Sequence, residues 1–131
     1  MGHDKLISIN VSAGELIDKI TILEIKAGRL DDAEKRRHVE QELESLRMVR
    51  DRVIGSSAQL TELTRQLKSI NLELWQSEDA LRLCEQKQEF GPRFIEFARS
   101  VYRNNDRRFQ LKRQISELVG SSLVEEKCYG P

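Results

Sequence analysis
The apolar positions of this chain change their spacing at a few identifiable breaks, and each change predicts an element. Leu6 to Val11 alternates, with Ile7, Ile9 and Val11 on one side and Ser8 and Asn10 on the other, the period of a short strand. A lone strand has nothing to pair with, so the segment reads as a strand against a second copy or as an extended lead-in docked on helices. Ser12-Ala13-Gly14-Glu15 then has the form of a capping box, in which Ser12 accepts from the Glu15 amide and the Glu15 carboxylate reaches back to the Ser12 amide. The helix it opens carries Leu16, Ile17, Ile20, Leu23, Ala27 and Leu30 on one stripe, with Ile22 and Ile25 on the opposite side. A helix apolar on two sides is packed on two sides, so this one is predicted to be central. Asp31, Asp32 and Glu34 suit the positive end of a second helix, which carries Val39, Leu43, Leu46, Val49 and Val53 and ends at Gly55-Ser56-Ser57.

The third helix has the clearest pattern. Leu60, Leu63, Leu67, Ile70, Leu74, Ser77, Leu81 and Cys84 follow the alternating three-and-four spacing of a coiled-coil seam. No Gly or Pro interrupts Ser57 to Phe90, a run that would span roughly 50 Å as one helix. Gly91-Pro92 breaks it, and Pro92 suits the first turn of a fourth helix, Pro92 to Val119, that buries Phe94, Phe97 or Ala98, Val101, Phe109 and Ile115 and stops at Gly120. The pattern predicts an all-α fold: an antiparallel bundle of two helical hairpins, with residues 1–131 as a single domain, 1–11 as an extended N-terminal segment and 120–131 as a tail. In that tail Leu123, Val124 and Tyr129 are the candidate anchors. The first helix would reach only roughly 28 Å. Part of the long seam would then lie uncovered, which predicts a homodimer. A helix break near Gln76 to Asp79, with Ser77 as a new cap, is the structural alternative.

Composition narrows the classes. The chain has 131 residues, 34% of them charged, with seven Gly and two Pro, which favours helices over a sandwich or barrel. Its 22 basic and 22 acidic side chains cancel, which speaks against a general nucleic-acid binder. No apolar run is long enough to span a bilayer, and Met1-Gly2-His3-Asp4-Lys5 is no signal-peptide core. Cys84 and Cys128 lack metal or redox spacing, so a reduced, cytoplasmic protein is expected.

Candidate chemistry lies on the long hairpin. Beside the seam of the third helix runs a second stripe, Asn71, Trp75, Glu78, Arg82 and Glu85, and beside that of the fourth lie Arg99, Tyr102, Asn105 and Asp106. Folding the hairpin at Gly91 brings Trp75 near Asn105 and Asp106, Glu78 near Tyr102 and Arg103, and Arg82 near Arg99. Two arginines, two rings and carboxylates in one strip suit an anionic or sugar-like ligand. The plainer reading is a ladder of charge-paired residues on a solvated face. Arg99, Arg103 and Arg107 form an outward basic row for phosphates or an acidic partner, again with a solvated face as the plainer reading. RNA binding through that row is a third possibility. Asn105 and Lys112 fall close to the seam, where polar groups set register or line a site. A magnesium site would draw on Glu73, Glu78, Asp79, Glu85 and Asp106, but the carboxylate pattern of the helical phosphohydrolases is missing. His3 and His38 are not placed to serve a nucleophile, so no catalytic residue, metal or cofactor is assigned.

Three stretches add a resemblance. S-A-G-E-L-I-D-K-I-T-I-L-E-I-K at Ser12 to Lys26, I-N-L-E-L-W-Q-S-E-D-A-L-R at Ile70 to Arg82, and F-G-P-R-F-I-E-F-A-R-S-V-Y-R-N-N-D-R-R at Phe90 to Arg108 are similar to a small bacterial domain family of unknown function. K-R-Q-I-S-E-L and the tail E-E-K-C-Y extend the similarity. The resemblance implies no reaction. It implies a setting beside glycosyltransferase-like proteins and surface-polysaccharide assembly, and its motifs fall on Trp75, Glu78, Asp79, Arg82, Arg99, Tyr102, Asn105, Asp106 and Arg107, the ligand-binding candidates. The expectation is a homodimeric interaction module rather than an enzyme, with a protein partner or an anionic small molecule as its other ligand; the alternative is a binding protein or enzyme for a phosphorylated or nucleotide-linked metabolite that uses the strip on the third and fourth helices.

Overall fold
The computed structural model describes residues 5–120, and every regular element among them is a helix. Helix α1 (Ala13–Arg29) starts at Ser12, whose Oγ accepts the Glu15 N–H at 3.1 Å. Only that half of the capping box forms. The Glu15 carboxylate turns instead to Nζ of Lys112, 2.8 Å away, because a nearly buried ammonium gains more from a carboxylate than a backbone amide does. Asp32 caps α2 (Ala33–Val53) by accepting from Glu34 and Lys35, and Ser57 caps α3 (Ala58–Lys87) by accepting from Leu60. Helix α3 ends on Gln88 in the left-handed conformation, at φ 57°. Helix α4 (Pro92–Leu118) opens with Pro92 in its first turn, where a missing N–H costs nothing.

Helix α3 runs without a break through Gln76 to Asp79, so the alternative of two shorter helices does not arise. At about 1.5 Å per residue it is roughly 45 Å long. Its seam faces α4: Leu60, Leu67, Leu74, Ser77 and Cys84 are buried and Leu63, Ile70 and Leu81 half-buried. Helix α1 packs on α2, α3 and α4 alike, whereas α2, among the described helices, packs on α1 alone. The molecule is therefore layered, with α2 outside, α1 in the middle and the α3–α4 pair on the far side. The two apolar faces of α1 explain its central place, and Ile17, Ile20 and Leu23 join Leu43, Leu60, Leu67, Leu111 and Ile115 in the core.

One position sets how α1 enters. A Cβ on Gly14 would stand 2.1 Å from the carbonyl oxygen of Lys112, so only glycine lets the two backbones meet. The Gly14 N–H then donates to Ser116 Oγ at 2.9 Å.

At its other end α1 stops beside Trp75, and the Arg29 guanidinium lies 5.7 Å from the ring centre. The last turns of α3 and the first of α4 continue past it as a two-helix prong. There the Ser77 and Ser100 hydroxyls meet at 3.2 Å, Asn104 donates to Ser100, and Phe90 meets Phe94 edge to face. Because α4 covers the seam, the prong exposes its flanks, including Leu83, Ile95 and Tyr102.

The lead-in does not take the docked form within one copy. Residues 5–12 form no strand, and Leu6, Ile7 and Ile9 are 88%, 86% and 74% exposed. Within one copy this segment neither pairs nor docks. The candidate anchors of the tail lie outside the described residues.

Candidate functional site
The centre of the molecule holds a polar cluster that an apolar core would not need. Asp18, on α1, is 1% exposed. Its carboxylate accepts from Arg108 on α4 through both oxygens, Nε at 2.9 Å and Nη2 at 2.5 Å. Asn71 on α3 donates through Nδ2 to the same carboxylate and to Thr21 Oγ1, each at 2.9 Å. Thr21 in turn donates to the Asp18 carbonyl at 2.8 Å. Four side chains from three helices thus satisfy one another, and among the described residues no buried side-chain polar atom lacks a partner. A bidentate guanidinium–carboxylate pair is the geometry in which a buried charge is best compensated.

Above the cluster the three helices leave a recess of about 220 Å³. Ile22, Ile25 and Leu74 form its walls, while Asn71 and Arg108 bring it into contact with the polar cluster. Lys26, Trp75 and Glu78 complete the lining. A second and larger cavity, about 780 Å³, opens at the other end of α1 between the close of α2, the start of α3 and the end of α4. Val11, Leu16, Leu46, Val53, Ile54 and Leu118 are among its lining, and no charged side chain is among the described residues that line it.

The predicted ligand strip is divided. Trp75 and Glu78 line the 220 Å³ recess. Arg82 and Asp79 are exposed on the prong and bond to each other at 2.8 Å along their own helix. Arg99 and Tyr102 are exposed as well, while Asn105 and Asp106 are half-buried on α4. Arg107 reaches back to Gln66 of α3 at 3.1 Å. Of the outward basic row, Arg103 pairs with Glu96 at 3.6 Å. Asn71 and Lys112, both marked by their positions near a seam, are buried.

Asp18, Thr21 and Arg108 were not among the predicted site residues. The available signal was the pair Asp18 and Thr21, three apart on a helix otherwise apolar on two sides. Among the described residues, no group of three His, Cys, Asp or Glu side chains could hold a metal ion, and Cys84 is a buried free thiol. No helix among those residues is long and apolar enough to cross a membrane.

These features define an all-α protein of layered helices with a polar cluster at its centre. The chain belongs to a family of unknown function, DUF6165, whose model matches residues 7–131. No curated protein and no solved structure gives a significant match. The three stretches that carried the resemblance converge at the recess: Ile22 and Lys26 come from the first, Asn71 and Trp75 from the second, and Arg108 closes the third.

Proposed function
We propose that this chain is an assembly module that joins a second copy of itself at the end of the bundle where the lead-in leaves α1. The observation that supports this is the meeting at one place of two apolar surfaces that no other described residue covers. Leu6, Ile7 and Ile9 are almost fully exposed, and Val11, next along the same segment, lines the 780 Å³ cavity. Burying an Ile or Leu side chain contributes about 1.5–3 kcal/mol relative to leaving it in water, so covering both surfaces at once would drive association. The lead-in carries no charge from Leu6 to Val11, and the described lining of the cavity has none either. In a two-fold pair each copy lays its lead-in across the other's cavity, the isologous arrangement most common among homodimers. The exposed flanks of the prong remain available to a protein partner, and the setting implied by the resemblance, beside surface-polysaccharide assembly, is where such a module would act in the cytoplasm that the cysteine usage leads us to expect.

Sedimentation equilibrium of the full chain tests this. The expected result is a dimer whose dissociation constant barely changes with salt, because the contact is apolar. Ile7→Asp and Val53→Asp, both at exposed positions, should each give monomers with unchanged helical circular dichroism. A wild-type monomer at every concentration would overturn the reading.

A further inference from the structure
We propose that the recess between α1, α3 and α4 binds a small phosphate monoester that carries a ring, with Lys26 and Arg29 holding the phosphate and Trp75 the ring.

The recess has the composition of a small-molecule site, apolar walls with a few convergent polar groups. Ile22, Ile25 and Leu74 are the walls, and Asn71 and Arg108 supply polar groups from the cluster. Those polar groups are held in place before any ligand arrives. Two bonds fix the Arg108 guanidinium on Asp18, and Asn71 is fixed by Asp18 and Thr21. Binding then loses little side-chain freedom at these groups, which is the main cost that preorganisation removes.

The charge balance selects the ligand. Asp18 offsets Arg108 and Glu78 offsets Lys26 within the lining, and Arg29, outside the lining but over the Trp75 ring, adds one positive charge at the edge of the recess. A phosphate monoester, a dianion near neutral pH, suits two flexible cations. The Trp75 indole, with Arg29 over one face, has its other face to offer to a sugar or a base, and the Glu78 carboxylate is an acceptor for ring hydroxyls. At 220 Å³ the recess is smaller than the roughly 300–1,000 Å³ of sites for drug-sized molecules, which favours a single phosphorylated ring over a dinucleotide.

The chain has one tryptophan, so a single indole N–H resonance reports on this place in the intact protein. Ribose 5-phosphate, a pyrimidine nucleoside 5′-monophosphate and inorganic phosphate are titrated separately. The expected result is a saturable shift of the Trp75 signal with one or both ring-bearing probes, at a dissociation constant near or below about 1 mM. A response to ribose 5-phosphate identifies the sugar as the stacked ring, and a response to the nucleotide alone identifies the base. Lys26→Ala and Arg29→Ala should each weaken binding about tenfold or more, and Arg99→Ala on the prong should leave it unchanged. The inference is overturned if neither ring-bearing probe saturates the signal by about 10 mM. It is equally overturned if inorganic phosphate binds as well as they do, or if both cation variants bind like wild type.

Discussion

At the scale of single residues, the consequential groups are those that let α1 sit between its neighbours. Gly14→Ala drives a methyl into the Lys112 carbonyl, a backbone atom that cannot step aside. It is expected to cost about 2–4 kcal/mol, seen as a lower thermal midpoint, whereas Gly28→Ala, with open space around it, should stabilise α1 slightly. Arg108→Ala strands the Asp18 carboxylate, whose side chain is 2% exposed, and is expected to cost about 3–5 kcal/mol. Adding Asp18→Leu to that variant should recover part of the loss, because a buried pair replaced by apolar side chains is often near neutral. Denaturant unfolding of the two single variants and the double variant measures the coupling. Glu62 offers a pH test at the surface. Hydrogen bonds from Arg65 and Gln66, with the Arg65 charge, lower its pKa from 4.5 to about 2. A lowered folded-state value stabilises above the unfolded pKa and loses that effect as pH falls from about 4.5 toward 2. Carboxyl chemical shifts should show the Glu62 titration returning toward its ordinary range in Arg65→Ala.

The elements differ in what holds them. Helix α1 is gripped on every side, but α2, among the described helices, packs only on α1 and has Leu43 as its one buried residue. One polar link adds to that contact: Arg47 of α2 reaches Glu24 of α1 at 2.7 Å, and Lys68 of α3 reaches the same carboxylate at 3.5 Å. Such exposed pairs are worth about 0–1 kcal/mol. Amide hydrogen exchange should therefore be fastest in α2 among the four helices, with α1 and the middle of α3 most protected. Equal protection of α2 and α1 would contradict the layered account. Leu67→Ala, at the fully buried centre of the α3 seam, should lower global stability by about 2–5 kcal/mol. Arg82→Ala on the prong removes only an exposed pair with Asp79 and should cost about 0–1 kcal/mol in the same measurement.

For the whole molecule, charge is balanced overall and unbalanced locally. From Pro92 to Val119 seven basic residues face three acidic ones, a net of +4, while Ser56 to Phe90 has four basic and six acidic, a net of −2. The two long helices thus attract along their length, and little field is left to recruit a polyanion. Association at the lead-in end is apolar and should survive high salt, whereas phosphate held at the recess by Lys26 and Arg29 should weaken as ionic strength rises. Salt therefore distinguishes the two surfaces in one preparation: sedimentation should be insensitive to it and the Trp75 titration sensitive.

What the chain determines by itself is the set of helices and the faces they bury. Ser12, Asp32 and Ser57 cap where the side-chain pattern places starts, and the three-and-four spacing from Leu60 to Cys84 marks the face that α4 covers. These are local properties, because a cap acts within a turn and a helical face repeats every 3.6 residues. Even the central place of α1 is legible, since apolar residues on both sides of Ile22 and Leu23 demand two neighbours. Tertiary structure alone decided which polar groups meet. Arithmetic on the α3–α4 hairpin brought Trp75 and Glu78 to one strip with Arg82 and Arg99, but the wedge of α1 drew the first two into a recess with Lys26 and Arg108 and left the others on the prong. Asp18 reaches Arg108 across 90 residues of sequence, and the glycine contact that places them is a matter of how closely two backbones approach. The depth and rotation of one helix between two others come from packing, and the residue pattern along any single helix does not contain them.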